Sequence, residues 1–144
     1  LVDKAVAEFG KLDIMVANAG IVLAGPIEEF PVERWRTVID VNLKGVFNCA
    51  RAIVPSMISG GGGSILNASS VACLDGNFGQ TNYGAAKAGI AAFTIIAAQE
   101  LHRYGVTVNA IAPAALTHRE VMDAVAALAE PMPNLTMALS KYVM

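Results

Sequence analysis

Ser64-Ile65-Leu66-Asn67-Ala68-Ser69, then a helical stretch from Thr81 to about Tyr104, then Val106-Thr107-Val108-Asn109-Ala110-Ile111-Ala112, decide the fold class of this chain. Each outer run is short and mostly apolar, as a strand buried on both faces reads. The middle run is too long for a strand and is closed by Gly105. Strand, helix, strand at this spacing calls for a crossover between parallel neighbours. The pattern continues upstream. Residues 12–17, Leu-Asp-Ile-Met-Val-Ala, form another apolar run ending at Asn18-Ala19-Gly20, and Gly25 and Pro26 mark a loop. From Pro31, whose missing N–H is harmless in a first helical turn, Trp35, Val38, Ile39, Asn42, Val46 and Phe47 recur at helical spacing to about Ile58. Residues 1–9 read as the end of a helix stopped by Gly10. Another short helix is expected around 120–128, ahead of a tail containing Pro131 and Pro133. Strands alternating with helices predict an α/β fold, a doubly wound parallel sheet with about three strands in this chain. In such sheets function collects beyond the carboxyl ends of the strands, here Asn18 to Gly20, Ser69 to Gln80 and Pro113 to Arg119.

The bulk composition agrees. Of 144 residues 55% are hydrophobic and 15% charged, with a mean hydropathy of +0.53, against roughly 25% charged in an average soluble domain. Membrane insertion is disfavoured, because the longest apolar stretch, Gly89 to Ala98, contains Thr94 and stops at Gln99 and Glu100, short of the roughly 18 residues a span requires. A net charge of −2 without a Lys or Arg cluster gives no footprint for nucleic acid or anionic lipid. Cys49 and Cys73 lack metal-ligand spacing and read as small apolar residues of a reducing, cytoplasmic setting. The sequons at Asn67 and Asn134 are discounted, the first because it ends a strand. Leu1 opens inside a helical pattern without a cap, so a segment upstream is expected.

Tyr83 and Lys87 lie four apart on a helix, which sets both side chains on one face with Cβ atoms about 5–6 Å apart. A phenol releases its proton only well above neutrality, and a neighbouring ammonium stabilises phenolate, so the pair has the makings of a general acid/base. Taken alone, such a pair is also a common accident of helix surfaces. Ser70, thirteen residues before Tyr83 at the end of a strand, offers a hydroxyl for a substrate oxygen, or simply ends a strand in a turn. Val16-Ala17-Asn18-Ala19-Gly20, Asp40-Val41-Asn42-Leu43-Lys44-Gly45, Ser64 to Ser70, Tyr83-Gly84-Ala85-Ala86-Lys87-Ala88-Gly89 and Val108-Asn109-Ala110-Ile111-Ala112-Pro113 together resemble the short-chain dehydrogenases/reductases, in their single-domain branch, over residues 1 to about 120.

The resemblance implies an oxidoreductase that moves a hydride between NAD or NADP and a carbonyl or secondary alcohol of a small-molecule substrate. Tyr83 would be the acid/base, Lys87 would lower its pKa and hold the nicotinamide ribose, and Ser70 would orient the substrate oxygen. Asn42 would hold a proton-relay water. Asn18, Ala19 and Gly20 would line the cofactor, as would Pro113 and, through its hydroxyl, Thr117. No metal is implied, and the family's usual dimer or tetramer is expected of the full-length protein. Ala17 and Ala114 replace an Asn and a Gly common in the family. The family's glycine-rich phosphate turn has no counterpart: Gly60 to Gly63 follow a helix and precede a strand, the reverse of a phosphate cradle, and read as a flexible turn. Residues 1–144 are therefore expected to form one partial Rossmann-like domain lacking its N-terminal glycine-rich half, with the outer edge of the first strand unpaired.

Two other readings remain. One is an inactive partial chain that keeps only the helices of oligomerisation. The other is a serine hydrolase with Ser70 as nucleophile, His102 or His118 as base and Asp75 or Asp123 as orienter; the absence of a Gly-x-Ser-x-Gly elbow around Ser70 speaks against it.

Overall fold

The computed structural model describes residues 1–113 and the backbone of residues 137–139. Helix α1 (Val2–Phe9) leads to strand β1 (Ile14–Ala17); a 3-10 turn (Ile27–Glu29) and helix α2 (Val32–Val38) follow. A π-helical turn (Ile39–Lys44) joins α2 to α3 (Gly45–Ser59) without a break. Strand β2 (Gly63–Ala68), a 3-10 turn (Val71–Cys73), helix α4 (Thr81–Leu101), a further 3-10 turn (His102–Tyr104) and strand β3 (Val106–Ile111) complete the sequence of crossovers. Pro31 sits at the cap of α2 with extended backbone (φ −63°, ψ 134°), one position before the expected first turn. Among the described residues no helix is long and apolar enough to cross a membrane.

The sheet order is β3-β2-β1-β4, where β4 is Met137–Leu139, and every pairing is parallel. Met15 pairs with Ile65, and Ile65 with Val108, so equivalent positions face the same way across three strands. Met15, Ile65, Val106 and Val108 pack with Ala50, Ile53 and Met57 of α3 and Ala97 of α4, which places both helices on one face. Residues of opposite parity, Ile14, Val16, Leu66 and Ala68, are buried as well. A strand buried on both faces needs no polar alternation, which is why β1 reads as a continuous apolar run and β2 as a mostly apolar one, with Ser64 and Asn67 buried within it. The outer edge of β1 departs from expectation: Ile14, Met15 and Val16 pair with residues 137–139, so the edge is covered where an open one was anticipated.

Nor is the tetraglycine a loose turn. Gly61 and Gly62 take φ of +86° and +140°, and a Cβ on Gly62 would lie 2.7 Å from the Gly105 carbonyl oxygen. Gly63 N–H donates to that carbonyl at 3.3 Å. The glycines let the start of β2 approach the start of β3 at backbone distance. Gly62→Ala should therefore cost roughly 2–3 kcal/mol, combining backbone strain with overlap, whereas Gly61→Ala, with open space around it, should cost about 1 kcal/mol. Urea denaturation of the two variants checks the difference.

Candidate active site

Strand β2 and helix α4 deliver the chemistry-bearing residues to one place. The strand ends at Ala68, and Ser70 follows with extended backbone (φ −165°, ψ 152°), capping the Val71–Cys73 turn by accepting the Ala72 N–H at 3.2 Å. That contact occupies an oxygen lone pair and leaves the hydroxyl hydrogen free to donate. The turn-forming and chemical readings of Ser70 thus hold together. Ser70 and Tyr83 line one cleft of about 300 Å³, with Val22, Val71, Ala72, Gln80 and Pro113 among its walls.

Lys87 is one helical turn along α4 from Tyr83 and is 1% exposed. Its ammonium donates to the Ala68 carbonyl at 2.6 Å and stands 5.4 Å from the centroid of the Tyr83 ring. Burial pulls the Lys87 pKa down from 10.5 to about 8, while the Cys73 thiol acts in the opposite sense. Cys49 and Cys73 are free thiols, each half-buried rather than fully enclosed.

Asn42 has a larger structural task than its place on a helix suggests. It is 0% exposed and lies in the π-helical turn. Its Nδ2 donates to the Val38 carbonyl (2.9 Å), the acceptor an α-helix would give to Asn42's own N–H. The side chain inserts into the helical ladder, and the ladder widens. The same carboxamide donates to the Ile21 carbonyl at 2.9 Å and accepts the Ile21 N–H at 3.1 Å, pinning the loop after β1. Both Nδ2 hydrogens are spent on backbone carbonyls. Asn82, which sequence reading missed, pins the same loop from the other side: its Nδ2 donates to the Leu23 carbonyl at 3.1 Å while its Oδ1 accepts the Tyr83 N–H at 2.7 Å.

The floor between these clamps suits a ligand. Gly20 is exposed, and a Cβ there would overlap the Asn42 carboxamide and come within 3.7 Å of Lys87 Nζ. Asn18 Oδ1 is buried without a partner, an acceptor awaiting a donor. Gly20 thus lies open beside the Asn42 carboxamide and the Lys87 ammonium, and Pro113 lines the cleft with Ser70 and Tyr83.

Thr117, His118, Asp123 and the helix expected around 120–128 lie outside the described residues. His102 follows the last turn of α4, ahead of β3, whereas Ser70 follows the end of β2, so they sit at opposite ends of the parallel sheet and cannot form a nucleophile–base pair. Asp75 is exposed on the loop after Ser70.

The model of the family described as short chain dehydrogenase matches residues 1–127. A 3-oxoacyl-[acyl-carrier-protein] reductase FabG of Staphylococcus aureus is 46% identical over 113 residues, 78% of this chain and 46% of that protein. The protein of the same name in Thermotoga maritima is 47% identical over the same shares. Among solved structures, NAD+-bound xylitol dehydrogenase superimposes with a TM-score of 0.76 at 35% identity, covering 78% of this chain and 44% of its own. A gluconate 5-dehydrogenase from Burkholderia cenocepacia, in complex with NADP and tartrate, gives 0.75 at 36% identity, with the same coverage. The chain spans less than half the length of the curated relatives it matches.

The buried ammonium has a measurable signature. Between pH 8 and 10.5 the unfolded chain holds the Lys87 proton more firmly than the folded one, so this residue's contribution to stability rises with pH across that window. The cost of carrying the charge, about 3 kcal/mol when fully expressed below pH 8, fades toward pH 10.5. Lys87→Met should be more stable than the parent at pH 7, by about 1–2 kcal/mol once the lost Ala68 contact is counted, and the advantage should shrink at pH 10. Urea denaturation at the two pH values checks the sign.

Proposed function

The chain belongs to the short chain dehydrogenase family, and from that premise we propose that its cleft carries the reaction centre of an oxidoreductase acting on a carbonyl or secondary alcohol. The observation that carries this reading is the shared cleft of Ser70 and Tyr83 with the Lys87 ammonium 5.4 Å from the phenol ring. Bound nicotinamide, NAD or NADP, supplies or accepts the hydride. Ser70 donates its free hydroxyl hydrogen to the substrate oxygen and fixes the orientation of the reacting carbon. Tyr83 gives its proton to that oxygen in reduction and takes it back in oxidation; Lys87 lowers the cost of the phenolate and reaches the nicotinamide ribose. Asn18, Ala19, Gly20 and Pro113 hold the nicotinamide end, with Thr117 assigned to the same task. Asn42 keeps the loop at Ile21 in place, and the relay water is assigned to the same residue.

Substrate size is set by the cleft walls from Val71 to Gln80. Exposed Val32, Trp35, Phe47, Ile95 and Ile96 on α2, α3 and α4 support self-association of these helices. A second reading, an inactive partial chain that keeps only the helices of oligomerisation, applies to residues 1–144 taken alone, which span 46% of a curated relative.

Titration of the chain with NADH and with NADPH, followed by nicotinamide fluorescence, is expected to saturate for at least one of them; no change with either supports the second reading. In a catalytically competent preparation Tyr83→Phe should reduce turnover by at least about 10²-fold with cofactor affinity unchanged. Turnover retained in that variant removes Tyr83 from its assigned role.

A further inference from the structure

Helix α4 presents apolar residues on nearly every side: Ala86, Ile90 and Ala97 face inward, and Ala85, Ala88, Ala92, Ile95 and Ile96 face outward. Apolar contact is non-directional, so packing of this kind holds the helix against the sheet without choosing its axial position or rotation. Directional contacts have to make that choice. Besides the Lys87 ammonium on the Ala68 carbonyl at 2.6 Å, two bonds from strand-side side chains cross from β2 and its end to α4. Asn67 Nδ2 donates to Thr94 Oγ1 at 2.9 Å, and Thr94 in turn donates to the Ile90 carbonyl at 2.7 Å. Ser69 Oγ, 2% exposed, donates to the Lys87 carbonyl at 2.8 Å.

The second bond is the unusual one. The Lys87 carbonyl lies inside a 21-residue helix, where the Ala91 N–H already serves it. Ser69 therefore satisfies no orphaned group, and its bond goes to a spare lone pair. Its value lies in where it pulls. Residues 87 and 94 are about 10 Å apart along the axis, so the two bonds fix both slide and rotation of α4. With its one proton given to Lys87, Ser69 Oγ can only accept from the Cys73 thiol, 3.6 Å away, and the loop after Ser70 joins the same chain of bonds.

We propose that Ser69 is a positioning residue: its hydroxyl sets the register of α4 against the end of β2, and so fixes how Tyr83 and Lys87 stand relative to Ser70. Adjacent serines divide the work. Ser70 faces the cleft and Ser69 bolts the helix that supplies its partners. The assignment of Tyr83 and Lys87 as the reacting pair gives the bolt its functional meaning, but the bolt is testable without turnover.

The test uses the 144-residue chain with isotope-labelled lysine, reading the Lys87 titration midpoint by NMR in the parent, Ser69→Ala and Ser69→Thr. The groups facing Lys87 are the Tyr83 ring and the Cys73 thiol, and both are unchanged in these variants. The parent midpoint is expected at about 8. In Ser69→Ala the helix relaxes, the ammonium leaves the Ala68 carbonyl for water, and the midpoint should rise by about one pH unit or more. Ser69→Thr, which keeps the hydroxyl, should retain the parent value. A midpoint in Ser69→Ala equal to the parent's, even with lower stability, means a merely structural serine and overturns the proposal. If Ser69→Ala does not fold, Ser69→Cys decides: its longer, weaker bond should raise the midpoint partway, and no rise overturns the proposal. Because neither cofactor nor substrate is present, a failed Tyr83→Phe experiment leaves this outcome standing, and the reverse holds too.

Discussion

A buried ammonium seated on a backbone carbonyl is the constraint around which the site is arranged. Lys87 is held on the Ala68 oxygen at the last residue of β2, so strand end and helix cannot shift independently without stranding a charge in a poorly solvated place. Such a group is costly to bury and more costly to mispair. The surrounding polar residues are best understood as keeping that arrangement unique. Ser69 and Asn67 tie α4 to the sheet, while hydrophobic burial supplies attraction without direction.

The loop after β1 illustrates the same economy. It carries little regular structure, yet Asn42 grips it at Ile21, Asn82 grips it at Leu23, and the Gly25 N–H donates to the Gly79 carbonyl at 2.9 Å. Three tethers from three parts of the chain hold a segment that must lie close to a ligand, and at Gly20 the backbone can do so because no side chain intervenes. Two helical side chains and one loop carbonyl thus position a segment whose approach to the site is made by Ala19 and Gly20.

Much of this was legible from residues alone. Apolar runs at 12–17, 64–69 and 106–112 became parallel neighbours, β1 and β2 covered on both faces and β3 alternating buried and exposed positions where full burial was expected, and Ser70, Tyr83 and Lys87 converge at the end of β2 and the start of α4. Three features were not legible. By resemblance Asn42 reads as the holder of a relay water, and its grip on Ile21 depends on a loop twenty-one residues away. The glycines at 60–63 suggested looseness, and only the approach to Gly105 reveals their purpose. The pairing of residues 137–139 with β1 has no counterpart in the local pattern, since three residues carry no periodicity to read.

The π-helical turn carries a consequence for how the long helix tolerates change. Inward positions Val38, Asn42, Val46 and Ala50 recur every four residues. In an ordinary α-helix such a spacing would precess by about 40° per step; the wider turn absorbs the drift and keeps the four in line. The helix is in effect phase-shifted by one residue at Asn42. Loss of a single residue between Ile39 and Lys44 would restore regular winding and leave Val46, Ala50, Ile53 and Met57 on the sheet, while removing the widened turn from which Asn42 grips Ile21. The extra residue thus serves the grip on the loop after β1 rather than the packing of the helix on the sheet.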